Sequence, residues 1–121
     1  EKSLGRDLKF FSVEEFNCQE TGENNMEIDF LAKLDELREV CAFPFKVNSG
    51  YRHPTKHPIE ASKEVPGTHA QGIAADISIT NGGDRYTIVQ EAMKLGFSGI
   101  GVAKTFVHLD TRGTTPVVWL Y

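Results

Sequence analysis

The stretch GTHAQGIAADISI, Gly67 to Ile79, ends in a segment that alternates like a β-strand, AADISI at 74–79. It also places His69 and Asp76 seven positions apart, among small or apolar residues and one amide. One strand and its entry turn can aim both side chains at a single point, and Gly72 leaves room for other backbone or a substrate to approach. An imidazole and a carboxylate in such surroundings indicate either an accident of packing or a metal site.

Composition limits the classes of protein that the chain can belong to. Its 121 residues, 40% hydrophobic and 25% charged, fit one folded domain over residues 1–121. Seventeen acidic against thirteen basic residues give a net charge of −4, which argues against nucleic acid as a partner. No apolar run approaches the roughly 20 residues of a membrane span. We expect a monomer without a membrane span, and a chain that was trimmed or excised, since it begins at Glu1.

Two segments far apart in the sequence each predict a helix and contain a residue pattern typical of a helix terminus. The segment FFSVEEFNC at 10–18 predicts a short helix, with Ser12 and Glu15 spaced as a capping box. The segment DRYTIVQEAMKLG at 84–96 predicts an amphipathic helix that ends at Gly96.

The longest helical pattern is NNMEIDFLAKLDELREVC at 24–41. Asn24 and Glu27 have the spacing of a capping pair at its start. Its apolar residues recur at helical spacing, so we expect this helix to lie against a sheet: Ile28, Leu31, Leu34, Leu37 and Cys41.

Short strand patterns make up most of the remaining sequence. They are separated by a proline-rich loop at 50–67 and by turn residues. The predicted strands are at 45–49, 74–79, 99–103, 105–110 and 116–121. Helices followed by strands that are mostly linked as hairpins predict an α+β fold with a largely antiparallel sheet packed against two or three helices.

A hydrolytic zinc site needs about three protein ligands, so His69 and Asp76 require a partner. In the segment FVHLDTR, strand alternation places Phe106, His108 and Asp110 on one face. If this strand pairs beside the AADISI strand, His108 completes the site. The other histidines, His53 and His57, lie in the proline-rich loop.

Each of these signals also has an ordinary structural explanation. Asp76 could simply accept backbone hydrogen bonds, and Asp110 could pair with Arg112 at a turn. Cys18 and Cys41 could form a disulfide in an oxidising compartment, although two half-buried thiols are the favoured interpretation.

A resemblance to a known family favours the metal site. The segments SGYR at 49–52 and HAQGIAAD at 69–76, then GIG and FVHLD at 106–110, occur in the order seen in zinc D-Ala-D-Ala carboxypeptidases and related peptidoglycan peptidases. These enzymes share a fold with the amino-terminal domain of hedgehog. The resemblance covers nearly the whole chain. In particular, the chain resembles the small, single-domain members of the family that bacteria and their phages carry.

The most specific part of the resemblance is the pattern His-x-x-Gly-x-Ala-x-Asp, which begins at His69 and ends at Asp76. The resemblance implies that His69, Asp76 and His108 bind Zn²⁺. It also implies that Arg52 holds the scissile carbonyl oxygen or the substrate carboxylate. A guanidinium suits that role because it is always charged.

The family's usual proton-transfer residues are absent. The positions three and two residues before His108 are occupied by Thr105 and Phe106. Asp110 is the nearest carboxylate and is either the general base or a group that orients a zinc-bound imidazole, with the second role favoured. A histidine of the proline-rich loop is a further candidate.

The resemblance implies a zinc metallopeptidase that hydrolyses a bond in peptidoglycan stem peptides and so acts on the bacterial cell wall. It would be a D,D-carboxypeptidase or an endopeptidase, with zinc-activated water as the nucleophile. The alternative is a non-catalytic zinc-binding structural or cell-wall-binding module, for example in a phage particle.

Overall fold

The computed structural model describes residues 10–11, 13–54 and 67–121. In these parts of the chain, two α-helices and an open sheet form the α+β fold that the sequence predicts. The helices are α1, Ile28–Cys41, and α2, Gly82–Leu95. The strands are β1, Val47–Ser49; β2, Ala74–Ser78; β3, Gly99–Val102; β4, Phe106–Asp110; and β5, Val117–Leu120.

Helix α1 begins later than its sequence pattern predicts, and the capping pair is wrong. The helix starts at Ile28, and Glu27, the residue before it, makes no side-chain capping bond. The backbone N–H of Glu27 instead donates to the carbonyl oxygen of Gly72, at 2.8 Å. The side chain of Asn24 accepts from the backbone N–H of Met26 and closes a local turn. A contact from a distant loop therefore replaces the local cap.

Helix α2 ends at the predicted Gly96 but begins two residues earlier than the sequence predicts. The side chain of Asn81 accepts from the backbone N–H of Asp84, at 2.8 Å, which caps the first turn. Gly96 ends the helix in the left-handed conformation, with φ of 90°. Within the part of the chain that the structure describes, neither α-helix combines the length and the apolar content that crossing a membrane requires.

The predicted amino-terminal helix is a single short turn. It is a 3-10 helix, Val13–Phe16, and it buries Phe16 completely. Ser12 of the predicted capping box lies outside the described residues. Nearby Cys18 is a free thiol, and so is Cys41 at the end of α1. Both are buried, not half-buried as the sequence analysis expected.

The strand order is β1-β2-β4-β3-β5, and the pairs are antiparallel except for β3 and β5. The expectation of mostly hairpin-linked strands is wrong: β3 and β4 form a hairpin, but α2 connects β2 to β3, which do not pair, and β5 does not pair with β4. Since β2 and β3 already occupy both edges of β4, β5 cannot pair with the strand that precedes it. It passes the end of β3 and pairs with the outer edge of that strand, which makes it parallel.

Strand alternation divides the sheet into an apolar face and a polar face. The apolar face packs against the helices and includes fully buried Ile77, Val107 and Leu109. On the other face, cross-strand pairing aligns one residue from each strand in a row: Ser49, Asp76, His108, Gly101 and Trp119. This row positions the candidate site.

Candidate metal centre

Two histidines and an aspartate converge on the polar face of the sheet. His69, Asp76 and His108 each offer one donor atom, and the three atoms lie within 4.8 Å of one another. Oδ1 of Asp76 is 3.3 Å from Nε2 of His69 and 3.0 Å from Nδ1 of His108. All three residues are buried, with exposed fractions of 5%, 8% and 4%. The pairing of β2 with β4 that the sequence analysis required is therefore present.

His69 is held by the loop that enters β2. Its Nδ1 lies 2.7 Å from the carbonyl oxygen of Gly50 and donates to it, so Nε2 is the ring nitrogen that faces Asp76. Gly72 permits the turn between His69 and the strand, because its φ is +78° and a Cβ there would overlap the carbonyl of Asn25.

His108 is oriented by a carboxylate and an arginine. Its Nε2 lies 2.7 Å from Oδ2 of Asp110, so Nδ1 is the nitrogen that remains for a metal. Asp110 is fully buried and receives three further hydrogen bonds from Arg112, through the backbone N–H, Nε and Nη2, at 2.8–3.1 Å. The four acceptor positions of this carboxylate are thus all in use.

Hydrogen bonds within the cluster shift the pKa values of Asp76, Asp110 and His108 towards their charged forms. Burial by itself raises the pKa of Asp76, but the hydrogen bonds from His108 and His69 outweigh it and hold this pKa well below its usual range. Burial likewise opposes ionisation of Asp110, and its bonds with His108 and Arg112 lower its pKa. Burial lowers the pKa of His108, but Asp110 and Asp76 raise it overall. Both carboxylates are therefore ionised at neutral pH.

Arg52 approaches the cluster from the β1 side of the sheet. Its Nη2 is 3.5 Å from Oδ2 of Asp76, and its Nε donates to Oγ of Ser49 at 3.2 Å. The backbone N–H of Arg52 also donates to the carbonyl oxygen of His69. The side chain is 16% exposed, so the guanidinium is anchored but still reaches the pocket.

A pocket of about 400 Å³ opens over these residues, which is within the usual range for a ligand site. Besides the cluster and Arg52, its lining includes Thr68 and Arg112 and three aromatic residues. The aromatic residues are Phe106, Trp119 and Tyr121.

The structure brings together five residues from the sequence analysis and separates others from them. The five are His69, Asp76, His108, Arg52 and Asp110. His53 is directed elsewhere, with Nε2 3.3 Å from a carboxylate oxygen of Glu23. His57 lies outside the described residues.

Sequence reasoning missed the contribution of the last strand to the pocket. Alternation in PVVWLY puts Trp119 and Tyr121 on one face, and that was the available signal. It did not reveal which face of the sheet these rings would share.

An α+β domain with a buried His–Asp–His donor set in an open pocket has the features of a zinc-binding domain. The family model described as Peptidase M15 matches residues 9–110, which is most of the chain. The chain belongs to this family, the zinc D-Ala-D-Ala carboxypeptidase-like peptidases, whose members are zinc enzymes that act on peptides. No curated protein matched the chain.

Proposed function

We propose that this protein is a zinc metallopeptidase that hydrolyses a peptide bond in peptidoglycan stem peptides, as a D,D-carboxypeptidase or an endopeptidase. The observation that carries the proposal is the convergence of His69, Asp76 and His108 in a pocket of a Peptidase M15 domain. Membership of the family supports a peptide substrate, and the resemblance in motif order supports the cell-wall peptide.

The donor set fits zinc. Two imidazoles and a carboxylate are the ligand types of hydrolytic zinc sites, which keep a fourth position open. One nitrogen of each ring is already hydrogen-bonded, Nδ1 of His69 to Gly50 and Nε2 of His108 to Asp110. The other nitrogen of each ring faces Asp76 and would be the metal-binding atom. When bound, zinc supplies Lewis-acid polarisation of a peptide carbonyl and an activated water.

Arg52 is proposed to stabilise the negative charge that develops on the carbonyl oxygen during hydrolysis. Its guanidinium is fixed by Ser49 and lies beside Asp76, which places a permanent positive charge at the edge of the donor cluster. Such a fixed donor in a partly buried pocket is effective because it needs no reorganisation as the charge appears.

Asp110 is proposed to orient His108 rather than to accept the proton of the reaction. Its oxygens are saturated by His108 and Arg112, and its side chain is completely buried. An ionised carboxylate with a strongly lowered pKa is a poor base, and one without a vacant acceptor position cannot receive a substrate proton.

The lack of an identified general base supports a second candidate function, a non-catalytic zinc-binding module. Among the described residues that line the pocket, Asp76 is the one carboxylate. The two positions at which the family often carries a proton-transfer residue hold Thr105 and Phe106. A chain with this lining could keep the metal and bind the cell-wall peptide without cutting it.

Digestion of purified peptidoglycan by the zinc-loaded protein separates the two candidates. A peptidase releases D-Ala or creates new amino termini, which mass analysis of the products assigns to one bond. The control is Asp76→Ala, which removes the proposed carboxylate ligand that contacts both histidines. If the folded protein holds one zinc and still releases no product, the binding module is correct.

A further inference from the structure

The pocket has an aromatic wall on the side away from Arg52. The ring centroids of Phe106 and Tyr121 are 5.0 Å apart, and those of Trp119 and Tyr121 are 6.3 Å apart. The Trp119 ring also lies 5.3 Å from the His108 ring. Since Arg52 enters from β1 and Trp119 belongs to β5 at the other edge, the cluster lies between a cation and an apolar surface.

A glycine in β3 allows this wall to reach the cluster. Gly101 is directly opposite His108 on one side and Trp119 on the other. A Cβ at Gly101 would lie 2.7 Å from the Trp119 indole and from the Tyr121 ring, which is too close. Glycine is unfavourable within a strand, and it occurs where another group must approach the backbone closely. Gly101 therefore lets Trp119 lean across β3 towards His108.

Trp119 is also held from its other side. The guanidinium carbon of Arg112 lies 4.8 Å from the centre of the indole, in the geometry of a cation–π contact. Arg112 is fixed in turn by Asp110. The ring is consequently positioned by the same pair that orients His108, while part of its surface lines the pocket.

The wall comes mostly from outside the region that defines the family. The family match ends at Asp110, whereas Arg112, Trp119 and Tyr121 follow it. Strand β5 thus adds to the pocket a surface that the matched region alone does not supply.

We propose that β5 is part of the substrate site and that Trp119 contacts the small apolar side chain of the peptide residue next to the cleaved bond. This inference rests on the proposed peptidase function. An indole face next to the donor cluster favours a methyl group through apolar contact and disfavours a charged group, which would lose its hydration there.

The kinetic test compares Trp119→Ala with Val118→Ala, a control on the same strand that is 50% exposed and lies on the other face. On soluble muropeptides, Trp119→Ala should lower kcat/KM at least about 10-fold, mainly through KM, and leave the zinc content unchanged. Val118→Ala should change none of these. Retained kcat/KM in Trp119→Ala would overturn the inference while leaving the proposed function intact. A 10-fold loss of zinc affinity would also overturn it, since Trp119 would then support His108 instead.

A second comparison needs no variant. Two synthetic peptides are compared, one with D-Ala and one with glycine next to the bond that is cleaved in the muropeptides. The D-Ala peptide should have a kcat/KM about fourfold higher, the factor expected for burial of one methyl group. Equal values would contradict a methyl contact.

Fluorescence makes the test independent of hydrolysis, because Trp119 is the single tryptophan of the chain. Titration of the zinc-loaded wild type with soluble muropeptides should shift its emission in a saturable way. A shift without hydrolysis would support the contact and contradict the peptidase function. An unchanged emission, measured up to millimolar muropeptide, would contradict the contact.

Discussion

Asp76 and His108 lie directly opposite each other on β2 and β4, and Nδ1 of His108 is 3.0 Å from Oδ1 of Asp76. This cross-strand pair forms the base of the candidate metal centre, and His69 joins it from the loop that enters β2. Two candidate ligands on neighbouring paired strands would need little rearrangement to bind a metal, since the sheet already fixes their separation.

Zinc should stabilise the fold, because a metal that joins separate segments binds the native state and not the unfolded chain. EDTA should lower the Tm of protein shown beforehand to contain zinc. His69→Ala, Asp76→Ala and His108→Ala should each largely abolish zinc binding, measured by elemental analysis after dialysis. His53→Ala is the matched control, since that imidazole faces Glu23, and it should keep the metal. Stoichiometric zinc in His108→Ala would disprove the ligand assignment.

Arg52→Ala should leave the zinc content intact and reduce turnover by about 100-fold or more, the usual loss for one donor to a developing oxyanion. Arg52→Lys should restore little, because an ammonium group lacks the planar fork that bonds to Ser49 while facing Asp76. The matched control is Arg85→Ala. The Arg85 guanidinium donates to the backbone carbonyls of Ala103 and Lys104, between β3 and β4, and does not line the pocket. Full turnover in Arg52→Ala would remove this residue from the mechanism.

Asp110→Asn should weaken zinc binding by about 10- to 100-fold, because His108 loses the charged acceptor of its Nε2–H. Turnover should recover largely when zinc is added in excess. The measurement is kcat as a function of free zinc concentration. A variant that holds full zinc and has almost no turnover would show instead that Asp110 is the general base.

The metal-free protein should lose stability towards both acid and alkaline pH. The pKa values of Asp76 and Asp110 are lowered on folding, so their contribution is present above about pH 4 and is lost as the pH falls through the folded-state values. The pKa of His108 is raised, so its contribution is present below about pH 6.5 and is lost as the pH rises through the folded-state value.

The Tm of the EDTA-treated protein, measured from pH 3 to pH 9, should therefore be highest between these limits. In His108→Gln the alkaline decline that this imidazole causes should be absent. The same decline in His108→Gln and in the wild type would assign it to another group.

Local patterns in the sequence determined the elements of secondary structure and one face of the site. Helical spacing marked α1 and α2, and strand alternation placed His108 and Asp110 together on β4. The ligand set itself came from resemblance, since a histidine and an aspartate seven positions apart are weak evidence in isolation. The predictions of α1, α2 and the face of β4 are confirmed, because neighbours along the chain decide these features. The ligand set stays a prediction.

Only the tertiary structure decided how the separate segments meet. The start of α1 depends on the carbonyl of Gly72, and the position of β5 depends on which strand edge is left open after β4 is paired on both sides. The reach of Trp119 across Gly101 follows from the position of β5. The physical reason is that pairing and packing depend on partners distant in sequence, and the local pattern of a segment contains no information about which partner will occupy its free edge.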